Sequence, residues 1–103
     1  MKRLQVVGRL LGATVALAVA VPDRPTFTRD VLPIMQRSCQ TCHRPNMSTP
    51  MSLLTYDEVR PWARSIKQQV EARVMPPWFA DRTVGVYRDD PSLSETEIAT
   101  VAR

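Results

Sequence analysis

A chain of 103 residues has room for one small domain and little more. Its formal charge of +4 comes mostly from the first twenty residues, which hold three of the fourteen basic residues and none of the ten acidic ones. From residue 21 onward eleven basic residues face ten acidic ones, a formal +1. That balance removes the electrostatic case for a nucleic-acid partner.

Lys2, Arg3 and Arg9 open the chain, and an apolar or small run follows from Leu10 to Val21. Ala18-Val19-Ala20 is an A-x-A cleavage pattern. Together these predict a secretory signal peptide over residues 1–20 and a periplasmic or otherwise exported domain over 21–103. Twelve apolar residues are too few to span a bilayer comfortably. A membrane surface is therefore a partner only if the segment is retained. Removing twenty residues from 103 leaves 83, a size at which side chains alone give a thin margin of stability.

Pro22 and Pro25 predict an extended lead. Thr28 is a suitable N-cap for a first helix, with Asp30 favoured in its first turn. Val31, Ile34, Met35 and Ser38 share one face, which would present the cysteines that follow toward the core. Pro33 either kinks this helix or divides it into a turn and a short helix. Met35 reads as core at that spacing.

Residues 39–43 are Cys-Gln-Thr-Cys-His, and they use every cysteine and histidine in the chain. C-x-x-C-H is the attachment pattern of a c-type haem. Cysteines at i and i+3 lie on one side of a helical turn. Their sulfurs can bond two vinyl groups along one haem edge, and His43 can bind the iron. Three other readings compete. A thioredoxin-like redox pair or disulfide expects a βαβ context that is missing here. Zinc wants four ligands, usually as two spaced pairs, and the supply ends at three. A Cu(I) site could enlist the thioethers of Met47 and Met51.

Residues 44–54 carry Pro45, Asn46 and Pro50 and predict a loop. Thr55 to Glu58 matches a capping box. Pro61 then divides a first turn at 55–60 from a helix that starts near Pro61. Trp62, Ile66 and Val70 recur every four residues, with Val59 and Val74 extending the stripe. Met75-Pro76-Pro77-Trp78 ends the helix. Residues 79–93 predict an ordered surface loop, and Ser94 to Glu97 is a second capping box. The helix it opens turns Ile98 and Val101 inward.

A single histidine rules out bis-His ligation by one chain. The candidates for a sixth ligand are Met35, Met47, Met51, Met75, Lys67 and the new N-terminal amine. Met75 is favoured because it follows His43 by 32 positions with a helix between them, and because two prolines stiffen the chain beyond it. His with Met is the recurring pair in cytochromes c. Trp78 either packs at the haem edge with its N–H toward a propionate or is an ordinary core tryptophan.

Asp-Val-Leu-Pro-Ile-Met before Cys-Gln-Thr-Cys-His, then Pro-Met-Ser-Leu, then a helix ending in Met-Pro-Pro-Trp, resembles small class I c-type cytochrome domains. The likeness covers residues 27–103 and is strongest to monohaem domains of exported bacterial redox proteins. It implies an all-α fold around one covalent haem c, held by Cys39 and Cys42, with His43 proximal and Met75 distal. It also implies that Pro50 offers its carbonyl to the second nitrogen of His43 and that Leu53 packs on the ring. The last helix of such domains usually runs longer and packs across the first; here it stops at Arg103, so it looks truncated. The implied role is one-electron transfer to redox proteins through transient interfaces, as a carrier and not an enzyme. The alternatives are a haem with an open distal side, and a haem-free Cys/Met metal-binding protein.

Overall fold

The structure, a computed structural model, describes residues 12–16 and 20–103. Most of the expected signal segment, including Ala18 and Val19 of its cleavage pattern, lies outside the described residues. Among the described residues every regular element is helical and there is no strand, so the fold is all-α. No helix among them is long and apolar enough to cross a membrane.

The first helical segment begins as a π-helical turn over Phe27–Val31 and continues as helix α1, Leu32–Ser38. Its N-cap is Thr26 and not the expected Thr28. The cause is Asp30, whose carboxylate reaches back to accept the Thr26 amide at 2.7 Å and fixes the start two residues earlier. Pro33 has no N–H for the helical ladder. The ladder changes from wide to ordinary turns just before it, and Pro33 stands in the first turn of α1, where a donor is not needed. The segment is thus divided into a turn and a short helix. Ile34, Met35 and Ser38 are buried on the face expected from their spacing.

Helix α2, Tyr56–Val59, opens on the expected capping box: Thr55 accepts the Glu58 amide, and Glu58 accepts the Thr55 amide at 3.1 Å. A 3-10 turn over Arg60–Trp62 contains Pro61 and leads into helix α3, Ala63–Glu71. A 3-10 turn advances the chain by three residues instead of 3.6, which shifts the phase of the apolar stripe. Val59 and Val70 are buried and Ile66 is half-buried, but Trp62, within the 3-10 turn, and Val74, at the end of the stripe, are exposed.

Helix α3 stops four residues before the Met-Pro-Pro sequence expected to end it. Arg73 adopts φ 59°, the amide of Arg73 donates to the Val70 carbonyl, and that of Val74 donates to the Gln69 carbonyl. This pair of bonds is a Schellman cap, with arginine where glycine is usual. Helix α4, Glu95–Ala102, opens on the second expected capping box, Ser94 with Glu97. Leu93 before the cap and Ile98 beyond it pack in one cluster, as a hydrophobic staple does.

The core is small and has two parts. Ile34, Val70 and Leu93 form one, while Met35, Leu53 and Val59 form the other. Ile66 of α3 and Val101 of α4 pack against both and join them. Ion pairs tie the exposed side of α4 to its neighbours, Arg37 to Glu97 and Arg73 to Glu95. Arg103 donates to the Pro22 carbonyl at 3.0 Å, which brings the end of α4 beside the Pro-bearing lead.

Candidate functional site

The C-x-x-C-H residues continue α1 as one tight turn. The Cys39 amide bonds the Met35 carbonyl at 2.9 Å, and the His43 amide bonds the Cys39 carbonyl at 2.9 Å. Residues 39 and 42 therefore stand one helical turn apart, as their spacing requires. Both thiols are free. Cys39 is half-buried against the Met35–Leu53–Val59 cluster, and that burial pushes its thiol up to about 11, with Arg37 opposing. Cys42 is exposed, so the turn presents one sulfur to the core and the other to solvent. The expectation that both point inward is corrected: three positions along a helix differ by about 60° in direction, and α1 buries a narrow face.

His43 is half-buried, and its Nδ1 lies 3.1 Å from the carbonyl oxygen of Met51. A proton on Nδ1 donates to that carbonyl and leaves Nε2 with a free lone pair, the form a metal-ligating imidazole takes. The expected acceptor was Pro50. Pro50 is exposed, and the carbonyl that faces the ring belongs to the next residue. The register follows from the Leu53 amide, which donates to the His43 carbonyl at 3.0 Å and turns Met51 toward the imidazole.

Two further bonds, invisible to motif reasoning, close the turn. Gln40 Nε2 donates to the Leu53 carbonyl at 3.0 Å, and Thr49 Oγ1 donates to the Cys42 carbonyl. Leu53 itself is 3 % exposed and packs with Met35 and Val59 beside Cys39. Met35 is 1 % exposed and belongs to the core, as its spacing suggested.

Met75 stands just past the cap that ends α3. It is 40 % exposed and lines a cavity of about 190 Å³ with Trp78, Val70, Leu93, Arg73 and Arg82. Cys39, Cys42 and His43 do not line this cavity. Trp78 stands edge-on to Tyr87 with ring centroids 5.9 Å apart, and its Nε1 is buried with no hydrogen-bond partner among the described residues. A buried donor without an acceptor costs about 1–3 kcal/mol. Such a group fits an acceptor supplied from outside the polypeptide. Beyond Trp78 the chain displays apolar side chains to solvent: Phe79, Val84 and Val86 are all exposed. The loop's frame is polar. Asp81 accepts from Thr83, Asp90 accepts from Ser92, and Arg82 pairs with Asp90 at 3.4 Å.

Among the described residues no group of three His, Cys, Asp or Glu side chains gathers around a common point. Two free thiols a helical turn apart and an imidazole oriented through Nδ1 are residues that could hold a covalent porphyrin. No protein-family model, no curated protein and no solved structure matches this chain.

Proposed function

We propose that residues 21–103 form a monohaem c-type cytochrome domain, exported and dedicated to one-electron transfer. Cys39 and Cys42 would hold haem c through thioether bonds, His43 would bind the iron from one side, and Met75 from the other. The observation that carries this reading is the His43 Nδ1 to Met51 carbonyl bond inside a C-x-x-C-H turn with both thiols free. It supports the reading because a bond at Nδ1 orients the ring and leaves Nε2 available to a metal.

When bound, the haem supplies an iron that cycles between Fe(III) and Fe(II), at a potential raised by a thioether ligand and by burial. The polypeptide's part is to hold, orient and cover. Leu53 and Met35 back the turn with apolar surface. Trp78 would offer a propionate the N–H that has no acceptor among the described residues. Partners would be redox proteins that meet an exposed haem edge through a small, short-lived interface.

A second reading has a specific observation behind it. Met75 is half-exposed and lines a cavity that excludes His43. If Met75 stays off the iron, the distal side is open and binds small ligands. With no second histidine in the chain, a general acid or base for peroxide chemistry is missing there. Carbon monoxide separates the two. The favoured reading predicts a low-spin ferrous spectrum that carbon monoxide leaves unchanged, and a high-spin, gas-binding form after Met75→Ala. Rapid carbon monoxide binding by the unaltered protein, or an unchanged spectrum in the variant, removes Met75 from the iron.

A further inference from the structure

The two variable positions of a C-x-x-C-H motif have no assigned task, yet here Gln40 makes a directed contact. Its Nε2 donates to the Leu53 carbonyl across thirteen residues at 3.0 Å. The Leu53 amide returns a bond to the His43 carbonyl at 3.0 Å. Ten residues from His43, then, the chain is held to the turn through both main-chain groups of one residue, Leu53. At the other end of the same segment, Thr49 Oγ1 donates to the Cys42 carbonyl. Met51 stands midway between these two fixed points, and its carbonyl is the one that meets His43 Nδ1 at 3.1 Å.

Residues 44–54 contain no helix or strand to set their course. Pro45 and Pro50 supply no amide donors of their own. Besides the Leu53–His43 backbone bond, the position of the Met51 carbonyl therefore depends on side chains that bridge the turn and the loop. We propose that Gln40 and Thr49 are positioning residues that hold the Met51 carbonyl against His43 Nδ1, and so set the orientation and donor strength of the imidazole.

The consequence rests on the cytochrome reading in one respect alone: an imidazole that donates strongly through Nδ1 is more basic at Nε2 and favours the ferric iron. Loosening the clamp then raises the reduction potential. The geometric part of the proposal stands with or without haem.

The test uses the purified full chain and three variants. Gln40→Leu keeps the volume and removes the donor. Gln40→Lys keeps a donor with a different shape. Thr49→Val removes the hydroxyl at nearly constant shape. The first readout is the solvent exchange rate of the His43 Nδ1 proton by nuclear magnetic resonance. It should rise about fivefold in Gln40→Leu and Thr49→Val, the effect of one lost hydrogen bond, and stay near the parent rate in Gln40→Lys. If Gln40 merely fills space, Leu behaves as the parent and Lys does not, and the proposal fails.

The second readout is the potential of the haem-bearing protein. Gln40→Leu should favour the ferrous form by about threefold, or about 28 mV for one electron. An unchanged or lowered potential overturns the link to donor strength. A colourless protein would remove the cytochrome reading, while the exchange rates would still decide the role of Gln40 and Thr49.

Discussion

The turn at residues 39–53 and the stretch at residues 74–87 are built to opposite standards. In the first, polar groups find partners within the chain: His43 meets Met51, Gln40 meets Leu53, and Thr49 meets Cys42. Leu53 and Met35 close a buried floor beneath it. In the second, Met75 is half-exposed, Phe79, Val84 and Val86 face solvent, and the Trp78 N–H is buried without an acceptor. The difference teaches where the polypeptide is self-sufficient. The turn is held by its own hydrogen bonds. The later stretch leaves apolar surface and a spare donor, which on the proposed reading a bound haem would use. Residues 21–103, with six buried apolar side chains, have little stability to spare for such surfaces. On this account the haem-free chain is folded by a thin margin.

Removing the floor of the finished half should have the largest effect. Leu53→Ala leaves a cavity next to Cys39 and should cost about 3 kcal/mol, enough to unfold much of the haem-free chain. Denaturant melts followed by circular dichroism would measure it. A loss below about 1 kcal/mol would mean the turn does not depend on that floor.

Trp78→Phe sharpens the comparison from the other side. In the haem-free chain it removes a buried donor that has no acceptor, so stability should hold or rise, by up to about 1 kcal/mol. In the haem-bearing protein the same change should lower stability, because the donor there has a partner. The same sign in both forms would detach Trp78 from the cofactor.

Ser94→Ala removes the side chain that accepts the Glu97 amide and should cost about 1 kcal/mol, mostly as fraying of α4. Parent-like protection of the α4 amides in hydrogen exchange would contradict that assignment.

The smallest effect concerns acid. Burial pushes the Glu97 carboxyl upward, but the Ser94 amide and Arg37 outweigh it and hold the group below its ordinary value of 4.5. A depressed carboxylate stabilises the fold above its unfolded pKa, and that contribution is lost as pH falls through the folded one. Acid titrations should therefore show α4 loosening below about pH 4. Glu97→Gln should flatten that part of the curve, and an unaltered acid limb in the variant would assign it elsewhere. Glu58, Asp81 and Asp90 are also held low, by hydrogen bonds from Leu54 and Ser52, from Thr83 and from Ser92, and they titrate beside it.

Local chemistry was legible where one side chain acts on a near neighbour. Both capping boxes form as written in the sequence, and Pro33 and Pro61 divide their helices at the expected places. The start of the first helix was missed because Asp30 caps from four residues away and selects Thr26. The end of α3 was missed because Arg73 takes a left-handed conformation that usually announces itself as glycine. Leu93 looked like part of a surface loop. Its pairing with Ile98 across the Ser94 cap was the signal that placed it in the core.

In the candidate site the cysteines and histidine were legible as a motif. The acceptor for His43 was not, because a backbone carbonyl leaves no mark on the sequence and a shift of one residue exchanges Pro50 for Met51. Gln40 and Thr49 were equally hidden. Their partners are main-chain atoms seven and thirteen positions away, and they come within reach once the loop is folded.

The most direct test of the central claim is the intact mass, with the visible spectrum, of the chain exported from a host that carries the haem-attachment machinery. The account predicts a red protein whose mass equals residues 21–103 plus one haem, with the addition lost in Cys39→Ala/Cys42→Ala. A colourless product weighing only its amino acids would contradict it.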